Sequence, residues 1–293
     1  MNMNITHYKI KIIFIFALLV IFVTPSIASA SILPILSTLR QNLNESVNRL
    51  IEAREGDDVS ILSEQNNLTH RKKIISDVLA LSVQEIMSVR EKLNVAHIDK
   101  ESQLWTIREI ILQWLDSEEK YFKEIEERLN DDLSLDETKA LAREIQDHRN
   151  ENFDANLTNA LDFILVLRTL RLTDIAENRW NRINTNLQRI ERAGLIRVST
   201  FAPQMSEAKE RIDKARSLTE KSLTLIKSVY LPVLEEGPTL LIAETSDDNI
   251  TIKAEQESPS IRELSETAIN NLKLGYDEFM QISIAARRLL RLP

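Results

Sequence analysis

LTNALDFILVLRTLRLTDIAENRWNRINTNLQRIERA, residues 157–193, carries the clearest structural signal in the chain. From Ala176 the apolar positions recur at Trp180, Ile183, Leu187 and Ile190, in steps of 4, 3, 4 and 3. Those steps draw a single stripe along an α-helix. Upstream, Leu161 to Leu167 is apolar around nearly the whole helical circumference. A helix of that kind needs cover on several sides. The first half therefore reads as the hub of a bundle and the second half as a two- or three-helix arm. No Gly or Pro interrupts 157–193, and Gly194 supplies the stop. About 37 residues at 1.5 Å each span roughly 55 Å, a length that suits an elongated bundle.

Working outward, the same periodicity predicts about six long antiparallel helices. The first covers 31–55, with Leu36, Leu39, Leu43, Val47 and Leu50 on its stripe and Gly56 at its end. The second follows Asp57-Asp58 to about Val95. Asp99 is expected to cap a third, Lys100 to Asn130, striped by Ile107, Ile111, Trp114, Leu115, Phe122 and Ile125. Ser134-x-x-Glu137 is a capping box that opens a helix over 135–193, with a bend expected near the poor helix formers of 150–154. A fifth helix follows Val198-Ser199, its stripe running through Phe201, Met205, Ala208, Ile212, Ala215, Leu218, Leu225 and Val229. Ser260-x-x-Glu263 opens the last, which ends near Leu290. Residues 235–258 form an acidic loop. Within it, 239–254 has the pattern of a small β-hairpin, with an irregular loop as the equal alternative. The expected organisation is an N-terminal segment at 1–30, a helical bundle at 31–132, and a second bundle at 133–293 built on the 135–193 helix.

The 1–30 segment has the three parts of a secretory signal peptide. His7, Lys9 and Lys11 make a basic start, 12–23 is an unbroken apolar run, and Ala28-Ser29-Ala30 is a cleavage signal. The run is short against the about 20 residues of a bilayer span. Cleavage before Ser31 and an extracytoplasmic location, whether periplasmic, cell-surface or secreted, are the expectation. An uncleaved N-terminal membrane anchor is the alternative. No transmembrane helix is expected in the mature chain.

Composition narrows the chemistry. The 293 residues include four Gly, seven Pro and no Cys. So few glycines fit long helices and leave little room for phosphate-cradling loops or a nucleophile elbow. The missing cysteines remove disulfides, thiol catalysis and Cys metal sites. The formal charge is −8, and losing the two lysines of 1–30 brings it to −10. Nucleic acid is therefore not an expected partner.

The remaining side chains with chemistry to offer are few. His70, His97 and His148 lack the spacing of a bundle metal site; Glu144, one turn before His148, could share a cation with it but reads as a solvated pair. Glu118-Glu119 and Glu126-Glu127 read as solvated charged faces, since adjacent helical residues diverge by about 100°. Trp105, Trp114 and Trp180 read as core, with an aromatic-lined groove as the alternative. Arg287, Arg288 and Arg291 beside Leu289 and Leu290 complement a helix dipole or meet anionic lipid. Asn44, Asn67, Asn156 and Asn249 satisfy the N-glycosylation pattern, relevant only in a host that uses it. The reading assigns no catalytic, cofactor-binding or metal-binding residue and no cofactor.

At Phe163-Ile164-Leu165-Val166-Leu167, Trp180 and the Gly194 turn, across 133–231, the chain resembles exported all-helical proteins of small-genome bacteria. The resemblance implies a helical architecture and export, and carries no site residues. The expected function is thus non-catalytic binding or scaffolding at the cell envelope, with a protein or envelope component as partner. The alternative is a self-assembling coiled-coil structural protein, a homo-oligomer built through exposed seams.

Overall fold

The computed structural model describes residues 61–130, 132–236 and 259–290. Among them there is no strand, and the helices form five runs. Helix α1 is Ile61–Asn94 and α2 is Gln103–Arg128. Helix α3, Leu135–His148, passes through a π-helical stretch at Arg149–Phe153 into α4, Asp154–Arg192. A 3-10 turn at Val198–Phe201 leads into α5, Ala202–Glu236, and α6 covers Ile261–Leu289. The chain is all-α over these residues. The expected helix at 31–55, the 1–30 segment and the 239–254 segment lie outside the described residues.

The helix ends follow local chemistry. In both expected capping boxes the serine and glutamate satisfy each other's backbone N–H. Glu137 N donates to Ser134 Oγ at 3.3 Å and Ser134 N to Glu137 Oε2 at 2.8 Å. At α6 the same pair of bonds joins Ser260 and Glu263. The start of α2 differs from expectation. Ser102 takes the capping place, its Oγ accepting from Trp105 N, while Asp99 closes the turn before it through Glu101 N. At the end of α4, Gly194 adopts φ +69°. Its N–H reaches Glu191 O, and Leu195 N–H reaches Ile190 O, the two bonds of a Schellman stop.

The packing divides the chain into two compact units. The described parts of Met1–Ser88 and Phe122–Ala140 form one, and those of Val89–Tyr121 and Leu141–Pro293 form the other. Neither is one continuous stretch, because α1, α2 and α3 each contribute to both. In the first unit Ile75, Leu79, Leu81, Ile86, Phe122 and Ile125 are buried. Lys72 Nζ donates across it to the Asn130 carbonyl at 3.0 Å.

In the second unit α4, α5 and α6 lie side by side. Trp180 Nε1 donates to Met205 O at 2.9 Å, and Glu177 meets both Lys209 and Arg216, so α4 and α5 run antiparallel. Asp162 pairs with Arg262, and Arg179 covers the Tyr276 ring, so α6 runs parallel to α4. The buried face of α5 steps through Phe201, Met205, Ala208, Ile212, Ala215, Thr219, Ser222, Ile226 and Tyr230, alternating mostly 4 and 3. This corrects the sequence stripe beyond Ala215. Leu218 and Leu225 are half-buried and Val229 is 40 % exposed, while two hydroxyl residues take the seam. Small polar groups are tolerated there because each is bonded. Thr219 Oγ1 donates to Ala215 O, Ser222 Oγ to Leu218 O, and Ser265 Oγ lies 3.4 Å from Ser222 Oγ.

The same seam is narrow at Gly275, where α6 passes the α5 backbone. A Cβ built there would lie 3.5 Å from Ala208 O and from Arg211 Cβ, which is ordinary contact. Glycine inside a helix costs about 0.8–1.0 kcal/mol relative to alanine. Gly275→Ala is therefore expected to stabilise the protein by about 1 kcal/mol. Gly275→Leu would overpack the seam and cost about 1–3 kcal/mol. Thermal melts of the two variants read the opposite signs.

Phe163 is fully buried, and its ring meets Tyr230 of α5 edge-on at 6.5 Å. Ile164, Leu165 and Leu167 are half-buried and Val166 is buried, so the apolar run is at least partly covered on every side. Burial, reinforced by the Asp162 carboxylate, pushes the Tyr230 phenol above its ordinary value of 10.0. A group whose folded pKa exceeds its unfolded one contributes stability that is intact below the unfolded value. The contribution of Tyr230 is thus full below pH 10.0 and is lost as the pH climbs beyond it. Tyr230→Phe should abolish this alkaline loss, so denaturant melts at neutral pH and at about pH 11 should differ less in the variant than in the parent.

Candidate functional site

A buried group of chemically capable side chains lies in the second unit, around Glu118. In α2 the buried apolar positions step from Ile111 to Leu115 and from Phe122 to Ile125. Glu118 falls between them, three after Leu115 and four before Phe122, so the helix turns this carboxylate inward. It is only 7 % exposed. Its Oε1 accepts from Trp114 Nε1 at 3.0 Å, and its Oε2 lies 2.7 Å from His148 Nε2. The Tyr121 ring stacks on the imidazole with centroids 3.8 Å apart.

The π-helical stretch completes this group. His148 and Phe153 are five residues apart, one more than a regular helix allows for residues on one face. One wider turn at Arg149–Phe153 absorbs the extra residue. It brings Phe153 into the core, 5.9 Å from the Trp114 ring, and sets the Arg149 guanidinium 4.9 Å over Phe153. Arg149 also pairs with Asp154 at 2.8 Å.

Two expectations change here. Glu118-Glu119 is not a solvated face. Glu118 is buried, and Glu119 accepts from Arg90 Nη1 at 2.6 Å, while the same guanidinium holds Asp116 at 2.7 Å. The carboxylate bonded to His148 is Glu118 from another helix, where the sequence offered Glu144. Glu126 and Glu127 are exposed, as expected. His97 is exposed, His70 half-buried. Among the described residues no three His, Asp or Glu side chains gather as a metal site.

The tryptophans separate. Trp114 is core. Trp105 is half-buried, with Arg108 at 4.6 Å and Lys100 at 5.6 Å from its ring. Trp180 borders an open groove with Met205, Ser206, Lys209, Glu210 and Asp213, and neither other tryptophan lines it. Lys209 lies 5.7 Å above the Trp180 ring and is bonded to Asp213 and Glu177, which together hold its ammonium above the usual lysine value.

No protein-family model, curated protein or solved structure matches the chain. The chemistry of the site therefore has to be read from its own atoms. Both Glu118 oxygens are committed, one to an indole and one to an imidazole, and a stacked ring covers that imidazole. The arrangement ties α2 to the α3–α4 junction. Sequence reasoning missed it because a polar residue was taken to mark an outer face. The usable signal was the register: a glutamate sitting in step with the apolar stripe.

Proposed function

We propose that the protein is an exported, non-catalytic helical protein that acts by binding or scaffolding at the cell envelope. The observation that carries this reading is the packing of α4, α5 and α6. Helices of 39, 35 and 29 residues share one buried seam and turn charged faces outward. Such a body offers surface and stiffness more than a cleft. The commitment of Glu118 to Trp114 and His148 is in keeping with it. In this reading the whole chain is a bundle of about six antiparallel helices, the 31–55 segment supplying the first, and the 1–30 segment directs export. No described helix is long and apolar enough to cross a membrane.

Self-assembly through the seams is the weaker reading, because the seam positions of α5 and α6 are already buried within the unit. Covalent crosslinking of the protein in its native envelope, followed by identification of the adduct, tests the proposal. A specific envelope component joined to a monomeric chain is the expected outcome. A chain joined only to copies of itself, with light scattering showing an oligomer, would favour self-assembly.

A further inference from the structure

One end of the α4–α5–α6 unit has a composition unlike the rest of the chain. The level is marked by the Trp180–Met205 hydrogen bond and by Arg179 over Tyr276. Beyond it lie the end of α4, the Gly194 turn, the start of α5 and the last turns of α6. Gly275 faces Ala208, and about 14 residues of α6 follow it, roughly 21 Å of helix. That carries α6 as far as the turn. In 181–205 and 277–290 the charged residues are Arg182, Arg189, Arg192, Arg197, Arg287 and Arg288 against Glu191, Asp277 and Glu278. Six cations and three anions give +3, on a chain whose formal total is −8.

Five of the six arginines are exposed and Arg287 is half-buried. Among the described residues none of them makes an ion pair. Glu191 is occupied, accepting from Val198 N at 2.8 Å. The helix ends do not absorb this charge. The C-termini of α4 and α6 offer roughly half a unit each, about one charge together. The same stretches carry exposed apolar side chains: Leu195 at 50 %, Met280 at 55 %, Ile284 at 47 % and Leu289 at 54 %.

We infer that this end docks on an anionic phospholipid surface. The assignment rests on the envelope-binding reading above and names the partner. Every cation is a guanidinium, which bonds phosphate oxygens in pairs. The exposed leucines, isoleucine and methionine supply the apolar contact with the headgroup and acyl boundary that charge alone does not provide.

The absence of cysteine makes the test local. A polarity-sensitive dye on Leu195→Cys is expected to shift to the blue with phosphatidylglycerol vesicles and to stay unchanged with phosphatidylcholine vesicles. The same dye on Glu126→Cys, an exposed site in the other unit, should stay silent with both. Adding Arg189→Gln, Arg192→Gln and Arg197→Gln should weaken the response about 100-fold, since each basic residue near such a surface contributes about 1 kcal/mol. A helical circular dichroism spectrum for that variant excludes unfolding. Silence at Leu195→Cys, an equal response to neutral vesicles, or full binding by the triple variant would overturn the inference. So would a shift caused by polyglutamate and not by vesicles, which would assign the end to an acidic protein. These failures leave the envelope-binding proposal standing, because crosslinking of the native protein reads that independently.

Discussion

Phe163→Ala is expected to destabilise the protein by about 3–5 kcal/mol, the range for aromatic truncation in a core. Phe163 is wholly buried, and its ring contacts Tyr230 across the α4–α5 interface. Its neighbour Asp162 meets Arg262 of α6 at 3.4 Å, so this level of α4 engages both partner helices. Burial raises the Asp162 carboxyl and Arg262 offsets part of that, which marks the level as partly shielded from water. A loss of this size approaches the whole stability of many domains. Denaturant melts should show a midpoint shift at unchanged slope. A variant that melts like its parent would mean that the apolar run is a binding surface and not a hub.

Glu118→Ala should be the next largest, at about 3 kcal/mol, where the ranges for a hydrogen bond to a charged group and for a broken buried pair meet. It strands the buried Trp114 indole N–H and removes one partner of His148. Glu118→Gln retains an acceptor for Trp114 and should cost clearly less. Glu119→Ala removes one partner of a part-exposed guanidinium and should cost at most about 1 kcal/mol. The order Glu118→Ala, Glu118→Gln, Glu119→Ala can be read from chemical melts followed by tryptophan emission. Equal costs for Glu118→Ala and Glu119→Ala would deny the carboxylate its structural role.

The helices were legible in the sequence because apolar side chains report their own burial. Ala176, Ile183, Leu187 and Ile190 line the buried face of α4 as their spacing requires. The Gly194 stop and both capping boxes were legible because each is a short-range bond between fixed positions. Polar residues in the seam were not. Thr219 and Ser222 satisfy their hydroxyls on their own helix, so they can be buried at little cost where a pattern of apolar residues predicts Leu218 and Leu225. Glu118 was misread for the same reason, its solvent being replaced by the Trp114 indole one turn away and by the imidazole of the sequence-distant His148. The wider turn at Arg149–Phe153 left a trace in the poor helix formers of 150–154, which gave its place but not its form. The basic end was only half visible. Arg287 and Arg288 stood out as a cluster, but their union with Arg189, Arg192 and Arg197 depends on α6 returning beside the end of α4.

The central claim is that this helical body works outside the cytoplasm by binding. Fractionating the native cells and sequencing the N-terminus of the recovered protein tests it most directly. The account predicts a chain beginning at Ser31 in the extracytoplasmic fraction; an intact chain beginning at Met1 in the membrane fraction would mark the anchored form instead. A chain beginning at Met1 and confined to the cytoplasm would contradict it.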